Sequence, residues 1–129
     1  MALGLRILLV DDDESWLESF ESFLVSDGHS TFTARRGFEA VDFARRCRRT
    51  RERLDLSILD FRMPGISGIE TFEQLVAELP ETPGLFLSGE PSTALEQAVE
   101  RVGGLALMPK PVHLPHIREI LDAVQRGIA

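Results

Sequence analysis

Leu56-Ser57-Ile58-Leu59-Asp60-Phe61-Arg62-Met63-Pro64-Gly65-Ile66-Ser67-Gly68 is the stretch whose reading decides the fold. A short, mostly apolar run has the length of a buried strand, and it stops on one acid. Pro64-Gly65 then breaks the chain, and Ser67 opens a helical pattern. A carboxylate placed where a strand leaves a buried sheet costs free energy unless a charged group meets it. Asp60 is therefore a candidate site, and its partners must come from elsewhere in the chain.

The same unit, an apolar run followed by a helical pattern, recurs on both sides of this stretch. Leu5 to Val10 reads as a buried parallel strand that ends in Asp11-Asp12-Asp13-Glu14. Trp16/Leu17, Phe20 and Phe23/Leu24 follow at helical spacing, with Gly28 as the residue just past the helix. His29 to Ala34 alternates and is Thr-rich, which suits an edge strand. Gly37 to about Arg53 reads as a helix with Phe38, Val41, Ala44 and Cys47 inward, and Leu54 to Leu59 as the third strand. The third helix spans Ser67 to Leu79, and Pro80 stops it. Leu85 to Ser88 is a fourth strand ending in a hydroxyl, followed by a helix from Ser92 to Val102. Leu105 to Met108 is the fifth strand, and Leu114 to about Arg126 the closing helix.

Five strands alternating with five helices predict an α/β fold, a doubly wound parallel sheet with helices on both faces. Crossovers of this kind are right-handed. Every strand then ends on one rim, which is where open α/β sheets bind ligands. Asp11 to Asp13, Asp60, Ser88 and Lys110 all arrive there.

Composition narrows the class. A chain of 129 residues reads as one domain over 1–129, with an ordinary hydrophobic fraction of 43%. The net charge of −7 argues against general binding to nucleic acid or anionic membrane. One cysteine, Cys47, excludes an intrachain disulfide. Met1 to Arg6 is wrongly patterned for a signal peptide, and no apolar run approaches a membrane span, so a cytoplasmic location is expected. Of 14 basic residues only Lys110 is a lysine, and it sits between Pro109 and Pro111.

Asp11, Asp12 and Asp60 together repel one another, and at least one carboxyl pKa should rise. A hard divalent cation answers this, and Mg²⁺ suits a site of carboxylates, waters and a phosphate. Lys110 adds a compact positive charge and Ser88 a hydroxyl. A carboxylate nucleophile, a metal, a cation and a hydroxyl form a site for accepting a phosphoryl group, because that chemistry is mostly positioning and charge neutralisation.

These pieces, in this order, resemble the receiver domain of two-component response regulators along essentially the whole chain. The matching segments are Ile7 to Asp12, Gly37 to Val41, Asp55 to Gly68, Leu87-Ser88-Gly89 and Lys110-Pro111. The resemblance implies a flavodoxin-like (βα)5 fold with strand order 2-1-3-4-5, the order that receiver proteins share among doubly wound sheets. It implies that Asp60 takes a phosphoryl group from a histidine kinase or phosphotransfer protein. Asp12 and Asp60 then ligate Mg²⁺ directly with the backbone carbonyl of Arg62, and Asp11 acts largely through water. Ser88 and Lys110 contact the phosphoryl oxygens, and the bond before Pro111 is cis. The implied partner surface for an output domain or downstream protein is the fourth helix, fifth strand and fifth helix. Arg62 and Glu90, each two residues beyond a site residue, are expected to pair across the site and slow dephosphorylation.

The chain departs from the family pattern at Leu107, where a Tyr or Phe that swings inward usually stands. Its second helix is also about a turn longer, through the run Arg45 to Arg53. The missing aromatic supports one alternative, a receiver-like interaction module that works without phosphorylation. The intact acidic pair, Asp60, Ser88 and Lys110 count against that alternative. An aspartate-nucleophile phosphatase needs its nucleophile on the first strand and an added cap, for which there is no room. A flavodoxin needs a Ser/Thr/Gly-rich loop after the first strand, and here that loop is acidic.

Overall fold

A computed structural model describes residues 4–128. Met1 to Leu3 and Ala129, the outer limits of the expected domain, lie outside the described residues. The strands are β1 (Arg6–Val10), β2 (Ser30–Ala34), β3 (Leu56–Asp60), β4 (Gly84–Ser88) and β5 (Ala106–Pro109). The helices are α1 (Glu14–Ser26), α2 (Gly37–Thr50), α3 (Gly68–Glu78), α4 (Thr93–Arg101) and α5 (Leu114–Gln125). All strand pairs are parallel, in the order β2-β1-β3-β4-β5. The expected α/β class and strand order are both present.

Period-two alternation in the strands sorts the core into two layers. Ile7, Leu9, Ile58 and Leu87 pack with Leu17, Phe20 and Leu24 of α1 and with Ile117 and Leu121 of α5. Leu8, Val10, Leu59 and Phe86 pack on the other face with Ala40, Val41 and Ala44 of α2, Phe72 and Leu75 of α3, and Val99 of α4. Each fully buried Leu or Ile side chain contributes about 1.5–3 kcal/mol, so the central strands anchor the rim from below.

Phe38 corrects the expected inward face of α2, being 59% exposed. The buried stripe runs through Gly37, Ala40, Val41, Ala44 and Cys47 and leaves Phe38 off its edge. Gly37 opens the stripe because a side chain there would collide with Thr71 and Ile66. The second correction is the end of α2 at Thr50 rather than near Arg53. Arg51 follows in the left-handed region at φ 58°, which costs a side-chain-bearing residue about 1–2 kcal/mol. Replacing Arg51 with Gly should therefore raise stability by roughly 1 kcal/mol, read as a higher denaturation midpoint at unchanged m-value.

The arginine run has structural work at the lower end of the sheet. Arg45 and Arg48 both reach Glu78 of α3, at 3.5 and 3.1 Å. Arg53 pairs with Asp55 at 3.0 Å, and Asp55 Oδ2 accepts from the Arg6 backbone N–H at 2.8 Å. Arg6 in turn donates to the Arg53 carbonyl at 2.6 Å and pairs with Glu52 at 3.0 Å. The longer α2–β3 connection is thus tied to the start of β1.

Across β1, the Leu5 N–H donates to His29 Nδ1 at 3.0 Å, which requires that nitrogen unprotonated. Burial pushes the His29 pKa below the ordinary 6.5, with Asp27 opposing. The folded state then binds fewer protons than the unfolded state, so stability rises with pH through this window. We expect the contribution to be complete above pH 6.5 and lost as pH falls through the lower folded pKa. Thermal melts between pH 7.5 and 5 should show the decline, and His29→Asn should flatten it.

Candidate functional site

The upper rim is built where four strands end, from the last residues of β3 and β4 and the first residues past β1 and β5. Asp11 follows β1, and its N–H donates to the Ala34 carbonyl at 3.1 Å, which holds it against β2. Its side chain is 1% exposed. Asp11 Oδ1 accepts from the Asp13 N–H at 2.9 Å, and Oδ2 pairs with Lys110 Nζ. Asp12 is exposed on the rim. Asp13 is the N-cap of α1 and accepts from the Trp16 N–H at 3.1 Å. The acidic run therefore divides, with Asp11 and Asp12 at the site and Asp13 serving the helix.

Asp60 ends β3 with its side chain 14% exposed. The loop beyond it is pinned at both ends. Phe61 N–H donates to the Leu87 carbonyl at 2.9 Å, and Gly68 N–H to the Phe61 carbonyl at 3.0 Å. Gly68 must be glycine, because a side chain there would run into the Asp60 carbonyl. Gly65 turns the loop at φ 83°, and Ser67 closes a capping box with Glu70. Ser88, buried at the end of β4, accepts from the Glu90 N–H at 3.1 Å. Lys110 is held to β4 by its N–H on the Ser88 carbonyl at 2.9 Å. The Lys110–Pro111 bond is cis, as expected.

Lys110 Nζ pairs with Asp11 and lies 3.5 Å from Asp60 Oδ1. Oxygens of Asp11, Asp12 and Asp60 lie within 4.8 Å of one another, so this group could hold a metal ion. The donors are all hard oxygens, the set that suits Mg²⁺ and not a soft metal. Burial raises the Asp60 pKa, Asp11 adds to the rise, Lys110 opposes it, and Asp12 contributes least. This is the perturbed carboxyl anticipated from three crowded acids.

Asp60, Arg62, Ser88, Gly89, Glu90 and Lys110 line a cleft of about 320 Å³. A larger hollow, about 640 Å³, lies around Glu52, Asp55, Pro80 and Gly127 and contains none of the rim acids. Among the described residues no hydrogen bond or ion pair joins Arg62 to Glu90, which corrects the expected pairing. Both side chains are exposed in loops, where solvation competes with a surface ion pair. Helical spacing gives Trp16 a place on the first helix but not its contact with Lys110, whose Nζ lies 4.6 Å from the ring centroid. Trp16's place in the first turn of α1, after the acids, is the signal that points there.

The family model for the response regulator receiver domain matches residues 7–122. Response regulator MprA of Mycobacterium tuberculosis (strain H37Rv) is 33% identical over 129 residues, covering 96% of this chain and 52% of MprA. The chain thus spans about half the length of the curated relatives it matches. Chemotaxis protein CheY4 of Vibrio cholerae superposes with a TM-score of 0.82 at 28% identity, covering 94% of this chain and 98% of that one. The non-phosphorylated HemR receiver domain of Leptospira biflexa gives 0.81 at 30% identity, covering 95% and 94%. The chain belongs to the response regulator receiver family, and it is a signalling domain of the two-component type. No helix among the described residues is long and apolar enough to cross a membrane.

Proposed function

We propose that Asp60 is the phosphoacceptor, taking a phosphoryl group from the phosphohistidine of a histidine kinase or phosphotransfer protein. One observation carries this reading. Lys110, just past β5, meets Asp11 and Asp60 of a three-carboxylate cluster with Asp12, and it lines one small cleft together with Asp60 and Ser88. In the transfer, an Asp60 carboxylate oxygen bonds to phosphorus while the P–N bond to the donor imidazole breaks, and the leaving imidazole takes its proton from solvent. Asp12, Asp60 and the Arg62 backbone carbonyl would hold Mg²⁺, with Asp11 acting mainly through water. When bound, Mg²⁺ supplies positive charge against the three acids and the incoming phosphoryl oxygens. Lys110 exchanges part of its pairing with Asp11 for a phosphoryl oxygen, and the Ser88 hydroxyl donates to another. The same groups promote hydrolysis, so the domain catalyses its own phosphorylation and dephosphorylation.

The readout surface in this reading is α4, β5 and α5, acting on an output domain or a separate downstream protein. Two of its three elements are lightly anchored, with Val99 the buried residue of α4 and Met108 that of β5, while Ile117 and Leu121 hold α5 in the core. Leu107 supplies no swinging ring, so the shift runs through the backbone of the β4–α4 and β5–α5 loops. The reading also treats residues 1–129 as one receiver domain working in the cytoplasm. The phosphorylation-independent alternative rests on Leu107 alone and is not favoured.

Incubation with acetyl phosphate and Mg²⁺ tests the reading. The intact protein should gain the mass of one phosphoryl group, and EDTA should suppress the gain. No gain with acetyl phosphate or phosphoramidate would overturn it.

A further inference from the structure

The chain holds one tryptophan, and its ring lies against the only lysine, with Lys110 Nζ 4.6 Å from the Trp16 ring centroid. The ammonium has two charged neighbours besides: it pairs with Asp11 and lies 3.5 Å from Asp60 Oδ1. Trp16 is itself held in place. Its ring stacks on Phe20 at 4.8 Å and 16°, and Phe20 packs on Phe23 at 5.7 Å. Arg118 of α5 covers Phe23 at 4.9 Å and is tied to Asp27 at 2.8 Å. The Trp16 backbone N–H is fixed on Asp13 Oδ1. The indole is thus a fixed wall at the end of an aromatic ladder along α1.

An indole face attracts a cation within about 6 Å of its centroid. Unlike Asp11, it carries no net charge, so it retains the ammonium without deciding which oxygen the ammonium meets. A lysine has a flexible four-carbon stem, and once it leaves Asp11 nothing in its own rotamers keeps it near Asp60. We propose that Trp16 is a positioning residue for Lys110. Its face keeps the ammonium beside Asp60 while the ammonium moves from Asp11 to a phosphoryl oxygen. This rests on the assignment of Asp60 as phosphoacceptor.

The test is a double-mutant cycle on the labelling rate with acetyl phosphate and Mg²⁺, joined to tryptophan emission of the metal-free protein. Trp16→Leu should slow labelling by about 3- to 10-fold at saturating donor, with the donor KM little changed. Trp16→Phe, which keeps a π face, should recover most of that rate. In a Lys110→Met background, Trp16→Leu should have no further effect, because the group it positions is gone. Lys110→Met alone should change the emission of Trp16. Thermal melts establish folding, and Trp16→Met replaces the Leu variant if that one does not fold. An unchanged rate in folded Trp16→Leu overturns the proposal, as does an equal slowing with and without Lys110. Unchanged Trp16 emission in Lys110→Met overturns it irrespective of labelling. Failure of the wild type to take label instead overturns the phosphoacceptor assignment, and the role given to Trp16 falls with it.

Discussion

Asp60→Asn should melt at a higher temperature than the wild type in metal-free buffer at pH 7.5, while losing phosphoryl acceptance altogether. The two effects have one cause. Burial, then Asp11 and Asp12, hold the Asp60 pKa above the ordinary 3.8, and the Lys110 attraction does not cancel them. The folded state therefore binds more protons than the unfolded state between 3.8 and the raised value. Stability falls as pH rises through that window, and the penalty is complete above the folded pKa. Asparagine is never charged, so its advantage is full at neutral pH and fades as pH approaches 3.8. A gain of roughly 1–2 kcal/mol is the usual size when a strained functional group is relieved, worth a few degrees in Tm. Added Mg²⁺ should raise the wild-type Tm and leave the variant nearly unmoved. A variant no more stable than wild type at neutral pH would contradict the view that this carboxylate is held ready at a cost.

Lys110→Met has the opposite sign for stability. It leaves Asp11, 1% exposed, with no cation against it. Losing one partner of a hydrogen-bonded charge costs about 1–3 kcal/mol, with the lower half expected because Lys110 itself is 21% exposed. It also removes the one influence that lowers the Asp60 pKa, so Asp60 should stay protonated to higher pH. Labelling should slow by roughly 10²- to 10³-fold, the range for losing one preorganised group that meets developing charge. Asp11→Asn in the Lys110→Met background should restore most of the stability, because no buried charge then lacks a partner. It should not restore the labelling rate. Chemical denaturation and the labelling time course separate the two outcomes.

The strand-end residues were legible because periodicity alone places them. Asp60, Ser88 and Lys110 each close a short apolar run, and a parallel sheet sends all such ends to one rim. What periodicity does not carry is the direction of an exposed side chain. Arg62 and Glu90 fall on the rim of one cleft as expected, yet they do not pair. Apolarity alone points Phe38 inward, whereas the stripe begins one residue earlier at Gly37, where α3 comes too close for a side chain. The end of α2 at Thr50 is hidden in the sequence because an arginine-rich run has good helix propensity and no glycine marks the left-handed turn at Arg51. The choice of Lys110 between Asp11 and Asp60, and its seat on Trp16, depend on distances across 50 to 99 residues of chain that no local pattern encodes.

The central claim is that the phosphoryl group arrives on Asp60. It is tested most directly by labelling the wild type with acetyl phosphate and Mg²⁺, reducing the acyl phosphate with borohydride, and sequencing the peptides by mass spectrometry. Reduction of an aspartyl phosphate leaves homoserine at the labelled position. Homoserine at residue 60, absent from Asp60→Asn and from EDTA-treated samples, is the predicted result. Homoserine at Asp11 or Asp12, or unabated labelling of Asp60→Asn, would contradict the account.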